Sequence, residues 1–207
     1  RYSTIENWSK NMYNLNSKRA AVEKNGAVEW VSGSFGSHTS FLYPMSILKG
    51  EGARMEYTGI TFAGAGQELD TGAQVIHAAP HTSSRLSGKS LSKDGGRSTF
   101  RSSVVVQPGA NGCKTSISCD SLMLDNRSRS DTVPVLDIRS DDVDVGYEAK
   151  IGRISEQAIY YLMSRGVSEN DAKAMIVNGF AEPISKELPL EYAVEMNNLI
   201  ALEMKGS

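Results

Sequence analysis

A turn-rich β body over residues 1–149, followed by a compact helical tail over residues 150–207, is predicted by three observations. Short segments in which every second residue is apolar, rich in Thr, Val, Ile and Tyr, recur from Arg1 to about Glu148. Turn signals built on Gly, Asn, Asp and Pro separate them. Near Lys150 the period of the apolar residues changes from two to nearly four, the spacing of a helix face.

Clear strand segments are Ala27–Val31, Met55–Phe62, Ala73–His77, Ser102–Val106 and Thr115–Cys119. Between them lie Lys24-Asn25-Gly26, Lys49-Gly50-Glu51-Gly52, Gly64-Ala65-Gly66, Asp94-Gly95-Gly96 and the run from Pro108 to Gly112. Strand plus polar corner, repeated this often, fits either a β-sandwich or a β-solenoid, whose coils bury their apolar side only against their neighbours. No strict sequence repeat chooses between them.

In the tail, Ser155 is placed to cap a helix with Ala158, Ile159, Leu162 and Met163 on its inward face and Gly166 as its stop. Ser168 opens a second helix, with Asp171 three residues on and Ala172, Met175 and Ile176 facing inward; Gly179 is expected to end it. Pro183 and Pro189 punctuate a connector. A third helix carries Leu190, Ala193, Val194, Met196, Leu199, Ile200 and Leu202 as a broad apolar stripe. Methionine adapts to many partner shapes, so Met163, Met175, Met196 and Met204 suggest a docking face beside ordinary internal packing.

With 40% apolar and 22% charged residues, the 207-residue chain has the composition of a globular protein. A net charge of −2 argues against a general nucleic-acid binder. No apolar run approaches the ~20 residues that a membrane helix needs. The opening Arg1-Tyr2-Ser3 has neither an initiator Met nor the apolar core of a signal peptide, the mark of a piece cut from a longer protein. Cys113 and Cys119 share one predicted strand, where six residues at ~3.3 Å set them about 20 Å apart, too far for a disulfide or a shared metal. Free cysteines fit a reducing cytoplasm.

Few residues are arranged for chemistry. His77 and His81 flank Pro80, so they cannot form the i, i+4 metal pair of a helix, and His38 stands alone. Asp137, Asp141, Asp142 and Asp144 form an acidic stretch; a solenoid polysaccharide lyase would hold Ca²⁺ with such oxygens, but a solvated turn explains them more simply. The glycine pairs Gly64/Gly66 and Gly95/Gly96 lack the Gly-Lys-Ser/Thr ending of a phosphate loop, and no Gly-x-Ser-x-Gly elbow is present. Cys119 and Glu148 remain: a soft thiolate and a labile carboxylate, the donor types for iron.

A run of motifs then carries a resemblance. Ser118-Cys119-Asp120-Ser121-Leu122-Met123, Ser128-Arg129-Ser130-Asp131-Thr132-Val133-Pro134, Tyr147-Glu148-Ala149, Tyr160-Tyr161-Leu162-Met163-Ser164-Arg165-Gly166, Met175-Ile176-Val177-Asn178-Gly179-Phe180 and Glu187-Leu188-Pro189-Leu190-Glu191-Tyr192-Ala193 resemble the SufB/SufD family, on its SufB side. So do Arg1-Tyr2-Ser3-Thr4 and Thr71-Gly72-Ala73 with Ile76-His77, so the likeness covers the whole chain as the C-terminal part of a longer protein. The resemblance implies a right-handed parallel β-helix with a C-terminal helical domain. It implies a non-enzymatic scaffold of the SUF machinery, on which iron–sulfur clusters are built with sulfur from a donor protein. It further implies pairing with SufD or with a second copy, and docking of the SufC ATPase on the helical domain, for which Met163, Met175, Ile176, Phe180 and Tyr192 are the candidates. Cys119 and Glu148 are the implied cluster ligands. Ser128 stands where enterobacterial relatives place a cluster-binding cysteine, Tyr147 where they place a histidine, and Val22 near their sulfur-accepting cysteine. A carbohydrate-active β-helix enzyme and a solenoid interaction module without cluster chemistry are the alternatives.

Overall fold

The computed structural model describes residues 1–205. The chain winds as a β-solenoid. Its first coil is built from β1 (Tyr2–Glu6), β2 (Tyr13–Asn16) and β3 (Arg19–Val22), and its second from β4 (Ala27–Ser34), β5 (Thr39–Leu42) and β6 (Met45–Leu48). Longer strands follow in pairs: β7 (Arg54–Ala63) with β8 (Glu68–His77), β9 (Ser83–Ser92) with β10 (Arg97–Val106), and β11 (Cys113–Met123) with β12 (Arg129–Ile138). A last strand, β13 (Val143–Arg153), starts a further coil that no second strand completes before the helices begin.

All strand pairs are parallel, and partners lie roughly 30 residues apart, as Arg54 with Ser83 and Ser83 with Lys114. One sheet runs β1-β4-β7-β9-β11-β13; the other runs β12-β10-β8-β5-β2, with β6 between β3 and β8. The turns fall at the predicted signals. Asn25 and Asp94 adopt left-handed backbone (φ 56° and 57°), as these short polar side chains tolerate.

Alternation along each strand sends one set of side chains inside. Trp30, Tyr57, Leu86 and Ile117 stack in one inward row of the first sheet, and the second sheet contributes Val75, Val104 and Val106. Gly59 and Gly88 sit in the next inward row because the Tyr57 hydroxyl and the Phe100 ring occupy the space a Cβ would take. The interior is partly polar. His77 bridges Thr82 (Nδ1, 2.8 Å) and Ser84 (Nε2, 2.9 Å), Ser84 meets Thr115 at 2.7 Å, and Thr82 also meets Cys113 Sγ at 3.1 Å. Since the Thr82 hydroxyl donates to the Ala79 carbonyl, it must accept from His77 Nδ1–H, which leaves Nε2 to accept from Ser84. The network is satisfied only by a neutral imidazole, and burial pushes the His77 pKa down to about 4.

Three helices complete the chain: α1 (Glu156–Met163), α2 (Glu169–Ser185) and α3 (Leu190–Lys205). Ser155 and Ser168 cap the first two by accepting from Ala158 N–H and Asp171 N–H, both at 3.2 Å, and Gly166 turns the chain after α1 at φ 87°. The change from strand to helix lies between Arg153 and Glu156, a few residues beyond residue 149. The helices rest on the outer face of the first sheet, where the outward positions switch from polar to apolar. Val31, Ile60, Phe62 and Leu91 form one buried cluster with Val177, Ala181, Ile184, Met196, Leu199 and Ile200. Burying each of the larger of these side chains contributes about 1.5–3 kcal/mol relative to exposure. Lys93 holds the end of α3 by donating to the Glu203 and Met204 carbonyls at 3.0 and 2.9 Å, the cation lying where the helix dipole is negative.

Two expectations are corrected. Gly179 does not end the second helix, which runs on to Ser185 with Pro183 inside its last turns, so Pro183 does not belong to the connector. The glycine costs only about 1 kcal/mol of helix propensity. Burial of Ala181 and Ile184 just beyond it outweighs that loss. The apolar stripe of α3 is also divided: Met196, Leu199 and Ile200 are buried, whereas Leu190, Val194 and Leu202 are exposed.

Candidate functional site at the open end of the solenoid

The last coil is uncapped. β12 and β13 are the terminal strands of their sheets, and among the described residues no next coil covers their inward side chains. Leu136 and Tyr147, which continue the inward rows of Val104 and Ile117, are 44% and 39% exposed, and Ile151, in line with Ser121, is 47% exposed. An apolar interior thus opens onto a flat end flanked by unpaired strand edges.

Cys119 lies one layer beneath this end. It faces inward from β11 and is 1% exposed, covered by its register partner Ala149. Thr132, inward from β12 opposite, donates its hydroxyl to Cys119 Sγ at 3.5 Å, and Ser121 Oγ lies 3.8 Å away. Burial raises the thiol pKa, with the bonds to Thr132 and Ser121 opposing it, so Cys119 is a protonated thiol at neutral pH. Tyr147 is its other neighbour. The phenol pKa is raised by burial first and by the nearby Cys119 second.

Glu148 is placed differently. It pairs with Ser118, not Cys119, so it projects from the opposite, outer face of the sheet, where it meets Lys150 at 2.8 Å in solvent. Within one chain Cys119 and Glu148 are therefore not brought together. Ser128 belongs to neither face. It is buried in the turn after β11, where its hydroxyl donates to Asp125 at 2.9 Å and accepts from Gly95 N–H at 3.1 Å. Burial disfavours the Asp125 charge, but donors from Ser128, Arg127 and Asp94 prevail and hold its pKa below the usual carboxylate range. Ser128 thus ties two stacked turns together. Val22 is buried in the first coils, far along the chain from this end.

Among the described residues no group of three or more His, Cys, Asp or Glu is poised around a metal. The acidic stretch is spread out, with Asp137 paired to Arg139 at 2.6 Å. His38 Nδ1 meets the Gly66 carbonyl at 2.7 Å, and His81 occupies a left-handed turn. No helix among the described residues is long and apolar enough to cross a membrane.

On the helical side, Met163 lines a cleft of about 610 Å³ between α1, α2 and the Leu124–Asn126 turn, and Tyr192 lines a groove with Ile5 and Trp8. Met175 is exposed and Ile176 half-buried, while Phe180 is engaged at home, under Lys89 Nζ at 4.3 Å from its ring. Tyr160, beside Met163 in that cleft, is exposed, as are Tyr161, Leu190 and Val194, although the sequence does not single them out for docking. Residue type alone likewise misses Thr132 and Tyr147 as the lining of the thiol. The alternation Val143, Val145, Tyr147, Ala149, Ile151 carries the signal, since it sets Tyr147 on the same face as Ala149.

Comparison with known proteins decides the family. Residues 1–180 match the model of the SufBD core domain, described as SUF system FeS cluster assembly. The chain belongs to the SufBD family. The whole chain is 51% identical to the iron–sulfur cluster assembly protein SufB of Bacillus subtilis, covering 44% of it. It is 51% identical to a SufBD family protein of Staphylococcus saprophyticus, again over 44% of that protein, and 50% identical to one of Mycobacterium leprae, over 24%. The chain thus spans less than half the length of these SufBD relatives. The family's core domain is thus described by iron–sulfur cluster assembly, and residues 1–180 that match it comprise the β-solenoid and the first part of the helical tail.

Proposed function

We propose that the chain is a scaffold subunit on which nascent iron–sulfur clusters are assembled, with no turnover of its own. One observation supports this above the others: a buried thiol, Cys119, lies directly beneath an uncapped apolar coil end. An exposed apolar end of this kind marks a surface for a partner. A second solenoid end, from a SufD-like sibling or another copy, is the partner of matching shape. The thiol then lies at the seam, reached when the seam opens. Glu148, on the outer rim, serves a cluster across that seam, from one subunit to the metal bound by the other. Ser128 holds the turn that shapes the rim and is not needed as a ligand.

The work divides along the chain. The solenoid, residues 1–149 with the rest of β13, offers the pairing end; the helical domain within 150–207 offers its exposed methionine and tyrosine face to a SufC-like ATPase. ATP hydrolysis belongs to that partner and sulfur arrives from a donor protein, in the cytoplasm. The test of docking is a binding titration of the full chain with the SufC-like ATPase. Met175→Lys and Tyr160→Asp should weaken it at least tenfold with the melting temperature unchanged; unaltered affinity in both would remove the helical face as the dock. Truncating the helices is the poorer test, because it would strip Phe62 and Leu91 of their cover.

A further inference from the structure

We infer that Asn111 is a site of spontaneous modification, where water converts the side-chain amide to a carboxylate and so loosens the open end of the solenoid. The sequence carries three Asn-Gly pairs, Asn25-Gly26, Asn111-Gly112 and Asn178-Gly179. In such a pair the glycine nitrogen can attack the asparagine side chain, because the glycine has no Cβ to stand in the way. An N–H held in a hydrogen bond does not attack, so what holds each glycine decides which pair reacts.

The three are held differently. Gly179 lies inside α2, a helix of 17 residues. Gly26 N–H donates to the Glu23 carbonyl at 2.8 Å, within its own turn. Gly112 N–H depends on another coil, donating to the Asp142 carbonyl at 2.8 Å. Turns at this corner stack coil on coil through Gly52 with Pro80, His81 with Asn111 and Gly112 with Asp142. Asp142 is the last rung, and no further turn among the described residues stacks on it. Asp141 and Asp142 are exposed, and the segment's other tie to this turn is Ser140 Oγ, which donates to Asn111 Oδ1 at 2.8 Å. Opening free energies are lowest in segments like this one, with few buried contacts and exposed backbone bonds. The fold also requires the glycine: Gly112 is left-handed at φ 67°, and a Cβ there would meet His81 Nδ1 at 2.5 Å. The reactive pair thus sits under the least protected rung of the corner.

The chemistry needs only water. With segment 139–142 lifted, the Gly112 nitrogen gives its proton to hydroxide and bonds to Asn111 Cγ. Ammonia leaves with a proton from water, which restores the hydroxide, and a succinimide ring remains. Water then breaks one of the two C–N bonds of that ring, leaving an aspartate or an isoaspartate at position 111. The new carboxylate is added beside a segment that already carries Asp141, Asp142 and Asp144, and like charges at close range repel. The segment no longer seats as before, and the start of β13 loosens with it.

The test is a timed incubation of the full chain in mildly alkaline buffer, with peptide mapping that measures isoaspartate at each Asn-Gly pair. Isoaspartate should accumulate first at Asn111. Val143 packs against the solenoid core where β13 begins. Val143→Ala should therefore speed conversion of Asn111 by about fivefold or more and leave the rate at Asn25 unchanged. Asn111→Asp should raise amide hydrogen exchange in β13 and leave β7 protected. Earlier conversion of Asn25 or Asn178, an Asn111 rate that Val143→Ala does not change, or no conversion of Asn111 after many half-lives of the urea-unfolded chain overturns the assignment. Unchanged exchange in β13 of Asn111→Asp overturns the loosening of the open end.

Discussion

Cys119 and Glu148 lie on adjacent strands of one sheet and face opposite ways: Cys119 is paired with Ala149 on the inside, and Glu148 with Ser118 on the outside. Side-chain alternation makes this separation rigid, because moving Glu148 to the interior requires a one-residue slip that would also turn Tyr147 and Ile151 outward. Two donors suited by type to one iron are thus divided by a sheet.

Both thiols should be protected in the isolated chain. Cys113 and Cys119 are buried and unpaired, and burial keeps Cys119 protonated. Alkylation by iodoacetamide at neutral pH, followed by mass spectrometry, should run on the order of a hundredfold slower than in the unfolded chain. Fast labelling of Cys119 in the folded chain would mean that the end coil opens on its own.

The His77 network predicts an acid limit on stability. The folded pKa is about 4 and the ordinary value 6.5, so between these values the unfolded chain binds a proton that the folded chain refuses. Stability is fully present above pH 6.5 and falls as the pH drops toward 4, by on the order of 3 kcal/mol in total. Urea unfolding at pH 7 and pH 4.5 measures the loss. His77→Gln, which keeps a donor and an acceptor without a titrating ring, should flatten that part of the profile.

The seat of the helices should be energetically asymmetric. Phe62→Ala or Leu91→Ala removes a buried side chain shared by sheet and helices, at a cost of about 2–5 kcal/mol. Hydrogen exchange should then rise in α2 and α3 before it rises in β9 and β11. Equal loss of protection throughout would show that the helices and the solenoid unfold as one unit.

Gly179 offers the opposite change. It lies inside α2, and nothing stands within 4 Å of the place an added methyl group would take. Gly179→Ala should therefore raise stability by up to about 1 kcal/mol, read as a higher melting temperature. A lower melting temperature would mean that the helix needs the glycine for its bend toward Pro183.

Much of this architecture is legible in the residues. Asn25-Gly26 and Gly95-Gly96 mark corners because so few residues accept a left-handed backbone, and Ser155 and Ser168 mark helix starts because each supplies the acceptor that the first turn lacks. What stays hidden depends on contacts far apart in sequence. The run of α2 past Gly179 depends on Phe62 and Leu91, about ninety to a hundred and twenty residues earlier, which cover Ala181 and Ile184. Coils without a strict repeat leave sandwich and solenoid equally open, and only the family resemblance separates them. Residue types alone point to Cys119 and Glu148 as the site, whereas its geometry depends on parity, which brings in Tyr147 and sets Glu148 outside.

The most direct measurement is anaerobic reconstitution of the full chain with ferrous iron and sulfide, in the presence of the proposed SufC-like ATPase and pairing partner. With Cys119 as a cluster ligand, visible sulfide-to-iron charge-transfer absorption should appear, be lost in Cys119→Ser and be retained in Ser128→Ala. Absorption that persists undiminished in Cys119→Ser, or none in the unmodified chain, would contradict it.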